Sequence, residues 1–357
     1  MKKRYIMEGN SMKKLVLLSV AFLILINLHA GSNLHQENDE GPIYRIEWVR
    51  KADLPLPHRN GKAVACGGKI YFMGGYCPET EELRESSNYE YDLQKDKWTI
   101  KTDIPVGRSN FAIASFEDRI FVIGGDPLLP NNDLYFTDED RWKVLTPLTI
   151  PRQHIDCARI GNKIYVVGGL IKNPDPQEDA EKKIPAVASD TVEIYDLKEN
   201  KWEMGKPLRE ARHGAQVAAV DGKLYAIGGA YDHNKDFGLS SALERYDFES
   251  KKWESLPNMP VAVLGPGIAV IEGKIFVIGG STIKGESQDA SDKVYVFDTN
   301  KKTWGMGSPL PKGIQFPAVA YIGNKIYVIG GCDKEFKAIV SVYEGTFRSD
   351  FPFPDSN

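Results

Sequence analysis

Residues able to hold an acid and to move a proton recur at one kind of place in the sequence: His58-Arg59, Arg108, Arg152-Gln153-His154 and Arg212-His213. A guanidinium is a planar fork of donors that matches a carboxylate with two parallel hydrogen bonds. An imidazole takes up and releases protons near neutrality. Together they have the chemistry of an anion site with a proton shuttle. Arg59, Arg108, Arg152, Arg212, His154 and His213 are candidates for holding the ligand, and His154, His213 and Asp156 for moving protons. The competing reading is that the arginines pair with loop carboxylates such as Asp126, Asp175 or Asp333 and only tie loops together. A zinc or copper site on the three histidines is not expected, since they show no HxH or HExxH spacing and no cysteine in matching positions. No cofactor is expected.

These residues are positioned by a repeat. Six copies of one strand ending in a glycine pair run through the chain: KIYFMGG, RIFVIGG, KIYVVGG, KLYAIGG, KIFVIGG and KIYVIGG. Their first glycines, Gly74, Gly124, Gly168, Gly228, Gly279 and Gly330, lie 50, 44, 60, 51 and 51 residues apart. A glycine pair after an apolar strand also begins a phosphate-binding loop, but here no third glycine and no helix follow. The glycines read as scaffold, present for their tolerance of positive φ and close chain approach.

After each of the first five pairs come a variable loop, a strand with an aromatic residue, a polar turn, and a tryptophan seven positions on: Tyr91 and Trp98, Tyr135 and Trp142, Tyr195 and Trp202, Tyr246 and Trp253, Phe297 and Trp304. Another strand with its own tight turn precedes each pair. Each unit is therefore four antiparallel strands, a to d, and the unbroken apolar b strands predict sheets covered on both faces.

The unit resembles the kelch repeat over about residues 43–346. That resemblance implies an all-β, six-bladed β-propeller, with radial sheets packed around a central channel. The sixth copy lacks its tryptophan, with a strand c expected over Ile339–Tyr343, and Trp48 near the N-terminus lacks a glycine pair. The N-terminal strand is therefore expected to serve as strand d of the last blade. Counting back from the glycines, Cys66 and Cys157 fall in apolar columns and read as core thiols. Cys77 and Cys332 follow the glycine pairs on either side of the closure seam and are candidates for a disulfide staple. The loop after Gly169, from Leu170 to about Asp190, is long enough for a lid or a partner-binding loop.

The 357 residues hold 45 Lys+Arg and 49 Asp+Glu, a net charge of −4. That balance argues against nucleic acid as a partner. Lys13-Lys14, an apolar run from Leu15 to Leu28, and the small residues Ala30 and Ser32 predict a signal peptide over 1–32, too short in its apolar part to span a membrane. A linker follows at 33–42 and a tail at 347–357. Removing the leader takes away Lys2, Lys3, Arg4, Lys13, Lys14 and Glu8, so the acidic excess rises to 8. The mature protein is expected to be exported, periplasmic or secreted, with no membrane contact after cleavage.

Two functions are consistent with this reading. One is a binding module that presents the basic mouth of the channel to an anionic small molecule such as an acidic sugar, to a glycan or to a protein. The other follows from a resemblance, in architecture and repeat, to the bacterial N-acetylneuraminate epimerases. It implies a sialic-acid mutarotase in which Arg108, Arg152 and Arg212 hold the acid and His154, His213 or Asp156 shuttle the proton. The ubiquitin-ligase adaptors of the kelch family carry BTB and BACK domains ahead of their repeats. That role is not expected of a chain with an apolar leader there.

Overall fold

A computed structural model describes residues 42–80, 84–174, 186–233, 236–284 and 287–348. The leader, the linker up to residue 41, the charged stretch 175–185 and the tail beyond Arg348 lie outside the described residues.

Six four-stranded antiparallel blades follow one another along the chain. Blade 1 is Lys62–Cys66, Lys69–Met73, Asn88–Asp92 and Lys97–Ile100, strands a to d. Blade 2 begins with strand a at Ala112–Phe116, blade 3 at Asp156–Ile160, blade 4 at Gln216–Val220, blade 5 at Gly267–Ile271 and blade 6 at Ala318–Ile322. Neighbouring a strands touch all the way round and line the channel. Each b strand is buried over its last four residues. The reason is that both faces of a blade pack on its neighbours: Ala63, Ile70 and Phe72 meet Ala318, Ala320 and Tyr327 across one junction.

The ring closes as the orphan tryptophan implied. Ile43–Lys51 lies antiparallel to strand c of blade 6, Val342–Arg348, in unbroken register from Arg45 opposite Arg348 to Lys51 opposite Val342. Its first residues also run parallel to strand d of blade 5, Thr303–Gly307, so blades 5 and 6 share one eight-stranded sheet. That strand c begins three residues later than the expected Ile339 and runs five past the expected Tyr343. The register that sets Trp48 against Gly345 decides this, and Ile339 bridges to His58 instead.

The aromatic–tryptophan spacing also has its cause here. Seven residues around a hairpin place the two rings directly opposite on strands c and d, with centroids 4.9–5.3 Å apart. Each indole N–H then donates to a carbonyl at the root of the preceding blade: Trp98 to Ala52, Trp142 to Thr102, Trp202 to Thr146, Trp253 to Lys206, Trp304 to Pro257 and Trp48 to Ser308. The acceptor always lies four residues after the preceding tryptophan, so the six bonds form a belt around the ring. Trp98→Phe keeps a ring against Tyr91 but loses the N–H and the packing of the indole's second ring, and should lower stability by more than about 1 kcal/mol, the share of the hydrogen bond alone. An unchanged denaturant midpoint would remove the belt from the account.

Candidate functional site

The segments leading into the a strands and those following the glycine pairs meet at one mouth of the channel. In every blade they form the same backbone bridge: Arg59 with Tyr76, Ser109 with Asp126, Gln153 with Leu170, His213 with Ala230, Leu264 with Ser281, and Gln315 with Cys332. One residue later the chain turns through a positive φ at Asn60, Asn110, His154, Gly214, Gly265 and Phe316, then enters strand a. The glycine pair is what this turn packs against. The N–H of the second glycine donates to the next blade, Gly169 to the Arg212 carbonyl at 2.8 Å and Gly125 to that of Arg152 at 2.8 Å. A Cβ on Gly169 would come within 2.3 Å of the Ile155 side chain. The pair is an inter-blade clamp, in agreement with the scaffold reading.

The three arginines sixteen residues ahead of their glycines are fully buried. Arg152 donates to the carbonyls of Gly168 at 3.0 Å and Thr191 at 2.9 Å, and to Glu193 at 3.2 Å. Arg212 repeats this with Gly228, Ala242 and Glu244, and Arg108 pairs with Asp133. Burial lowers all three pKa values against the opposing pull of the carboxylates; Arg152 comes down to about 10, so it is charged at neutral pH. These guanidiniums are thus spent within their own blades and offer no open fork. This is the loop-tying geometry, achieved with strand-c carboxylates in place of the loop residues Asp126 or Asp333; Asp175 lies outside the described residues.

The chain itself carries the signal for those partners. Nine residues before each tryptophan stand Tyr89, Asp133, Glu193, Glu244 and Tyr295, with Tyr343 equivalent in blade 6. Arginine is found where this residue is acidic, in blades 2, 3 and 4. Where it is tyrosine, the partner is His58, Val263 or Ile314. His58 lies 3.4 Å from the Tyr89 hydroxyl, and burial lowers its pKa to about 4.

A pH dependence follows from His58. Between about pH 6.5, where the unfolded imidazole titrates, and about pH 4, the unfolded state binds more protons. Stability is therefore whole above the upper value, falls as the pH drops through the window, and levels off below it. His58→Val, copying Val263 of blade 5, should flatten part of that fall in denaturation midpoint. A variant with the wild-type slope would contradict this.

The remaining candidates gather around the channel. His154 and His213 meet edge to face with centroids 5.6 Å apart. Burial depresses both, His213 to about 3 with His154 as its second cause, so both rings are neutral at pH 7. Asp156 is buried: one oxygen accepts from Lys62 at 3.2 Å and the other from the Val217 N–H at 2.9 Å. Lys62 belongs to blade 1 and Asp156 to blade 3, so this pair reaches across the channel, with Tyr321 of blade 6 close enough for Asp156 to raise its pKa. Lys62 and Tyr321 were not among the sequence candidates. The column twelve before each glycine, Lys62, Ala112, Asp156, Gln216, Gly267 and Ala318, holds the Lys62–Asp156 signal. Arg59 is partly exposed, donates to the Phe336 carbonyl at 3.0 Å and lies over the Tyr76 ring.

All four cysteines are free and buried. Cys66 and Cys157 sit in the core, with burial raising both thiol pKa values. The staple expected between Cys77 and Cys332 is not formed. Strand pairing closes the seam, and Cys332 is held by backbone bonds to Gln315.

The mouth is walled on one side. Hairpins follow the glycine pairs of blades 3, 4 and 5, with arms Leu170–Lys172 and Ala186–Ala188, Ala230–His233 and Asp236–Leu239, and Ser281–Lys284 and Ser287–Ala290. The first two hairpins touch. Among the described residues blades 6, 1 and 2 carry none, and between blades 6 and 1 a groove of about 450 Å³ opens.

Comparison with known proteins agrees with this architecture. The family model described as the KLHDC2/KLHL20/DRC7 Kelch-repeats domain matches residues 60–280, and two Kelch motif models match 264–311 and 316–344. Kelch-like protein 25 of Xenopus tropicalis is 29% identical over 286 residues, which are 80% of this chain and 38% of that protein. Kelch-like protein 38 of Rattus norvegicus is 32% identical over 149 residues, 42% of this chain and 24% of that protein. The chain thus spans well under half the length of these relatives. The solved structure of YjhT superposes with a TM-score of 0.68 at 18% identity, covering 84% of this chain and 99% of that one, a likeness of fold.

Proposed function

The chain belongs to the kelch-repeat family, and from that premise we propose that it is an exported binding module whose ligand docks on the walled mouth. The observation that carries this is the sixfold bridge. It seats twelve loop segments on one rigid ring, the arrangement that lets variable loops bind on a fixed scaffold. Kelch domains in general bind other proteins, which favours a protein partner over a free metabolite.

An acidic ligand remains the class we propose, whether an anionic small molecule such as an acidic sugar, a glycan or a carboxylate-rich protein. Its support shifts from the buried arginines to cations that are still accessible on this face, Arg59 among them. Titrating fluorescent acidic and basic peptides, and acidic and neutral sugars, tests the proposal. Saturable, salt-sensitive binding of the acidic set is expected; equal affinity for the basic set would overturn it. Export is checked by N-terminal sequencing of protein from the cell envelope and medium, where the chain should begin at Asn33.

The mutarotase reading is favoured by one observation, the pair of neutral imidazoles at His154 and His213 beside Lys62. Such a pair can accept a proton from an anomeric hydroxyl and return it to the ring oxygen. NMR of freshly dissolved sialic acid decides it: catalysed anomer interconversion that His154→Ala abolishes would establish the enzyme, and an unaccelerated rate would discard it.

A further inference from the structure

We propose that the groove at the seam of blades 6 and 1 is a docking site for an extended acidic peptide segment of a partner protein. The inference deepens the binding-module reading and rests on it. Lys312, in the lead into blade 6, and Lys337, in the segment after the last glycine pair, both line the groove. Both are exposed, and among the described residues neither has a carboxylate partner. Arg50 also lines the groove, but Asp53 already holds its guanidinium through two hydrogen bonds.

The floor differs from the rim. It is the stretch Ala338 to Ser341, with the prolines 57 and 78 beside it. This stretch is fixed in place: Ile339 N–H donates to the Gly331 carbonyl, while the carbonyls of Ile339 and Val340 accept from His58 and Leu54. Ser341 is one of the groove's residues; it is 2% exposed, and its hydroxyl is buried with no hydrogen-bond partner among the described residues. A buried hydroxyl without a partner is costly unless an occupant supplies one. A peptide backbone can supply either a donor or an acceptor there.

The chemistry of the occupant follows from these parts. The floor is a run of four consecutive residues, along which an extended segment can lie. Small apolar residues suit the alanine, valine and prolines, and flanking carboxylates meet Lys312 and Lys337. Glu79, which also lines the groove, repels an acidic residue at its end and thereby sets the direction of the segment. The groove lies on the unwalled side of the mouth, where the hairpins leave access open.

The test is anisotropy of a fluorescein-labelled pentapeptide, four acidic residues around a central valine, titrated with the intact protein. Lys312→Glu/Lys337→Glu should weaken binding by about tenfold or more, and raised salt should weaken wild-type binding. Both side chains are exposed, so the variant should keep the wild-type melting midpoint. Ser341→Ala should lose a few-fold, and Lys172→Glu, an exposed change on the hairpin wall, nothing. Equal binding to the double reversal would overturn the groove while leaving the binding module standing. Free glutamate competing as well as the peptide would overturn the peptide class. No peptide binding to folded protein would also overturn this inference. The broader reading fails only if acidic sugars and every other peptide fail as well.

Discussion

Arg108→Ala should destabilise the propeller by about 3–5 kcal/mol, the usual cost of stranding one partner of a buried ion pair. Arg108 and Asp133 are both wholly buried, and Arg108 also donates to the Val106 carbonyl at 2.9 Å. Truncation leaves the carboxylate of Asp133 in an apolar junction with no countercharge. The other blades show how the sequence avoids that state: they change both positions together. Blade 5 has Val263 with Tyr295 and blade 6 has Ile314 with Tyr343, all buried. Arg108→Val/Asp133→Tyr should therefore recover most of the loss, because an apolar pair of suitable shape often replaces a buried ion pair at little cost. Chemical denaturation of both variants reads this. A single variant as stable as wild type, or a swap no better than the truncation, would contradict the role assigned to the pair.

Deleting residues 42–51 should do more, costing stability on the scale of a whole domain, about 5–15 kcal/mol. The segment supplies the outer strand of blade 6, the parallel contact to blade 5 and the Trp48 link in the tryptophan belt. It also places Ile46 in the core beside Val294, Tyr343 and Phe347. Without it strand c of blade 6 becomes an open edge and the junction with blade 5 is exposed. We expect no cooperative thermal transition, and its return when a synthetic peptide spanning the strand is added. A truncated protein that melts cooperatively near the wild-type temperature would mean the ring does not depend on this closure.

The sequence was informative where a residue type has one physical use. Glycine pairs, the aromatic–tryptophan spacing and the unmatched Trp48 each follow from backbone geometry or strand register, and the six blades and their closure could be read from them. The mouth was harder to read because an arginine has two uses. Arg152 in a loop before a strand can face solvent or pair inside, and its neighbours do not say which. The deciding residue, Glu193, lies across a loop that differs in length from blade to blade, so columns counted from the glycines scatter the acidic partners. Counted from the tryptophans, across a hairpin of nearly constant length, they align. Asp156 was a candidate, but its partner Lys62 was missed for a different reason, since their pairing spans blades that are not neighbours. The disulfide was inferred from nearness to the seam, which strand pairing already closes.

The central claim is that the mouth arginines build the face and that other groups bind the ligand. Titrating the labelled acidic pentapeptide onto folded Arg108→Val/Asp133→Tyr protein tests it most directly. The same Kd as wild type is predicted; binding lost while the melting midpoint is retained would show that Arg108 holds the ligand after all.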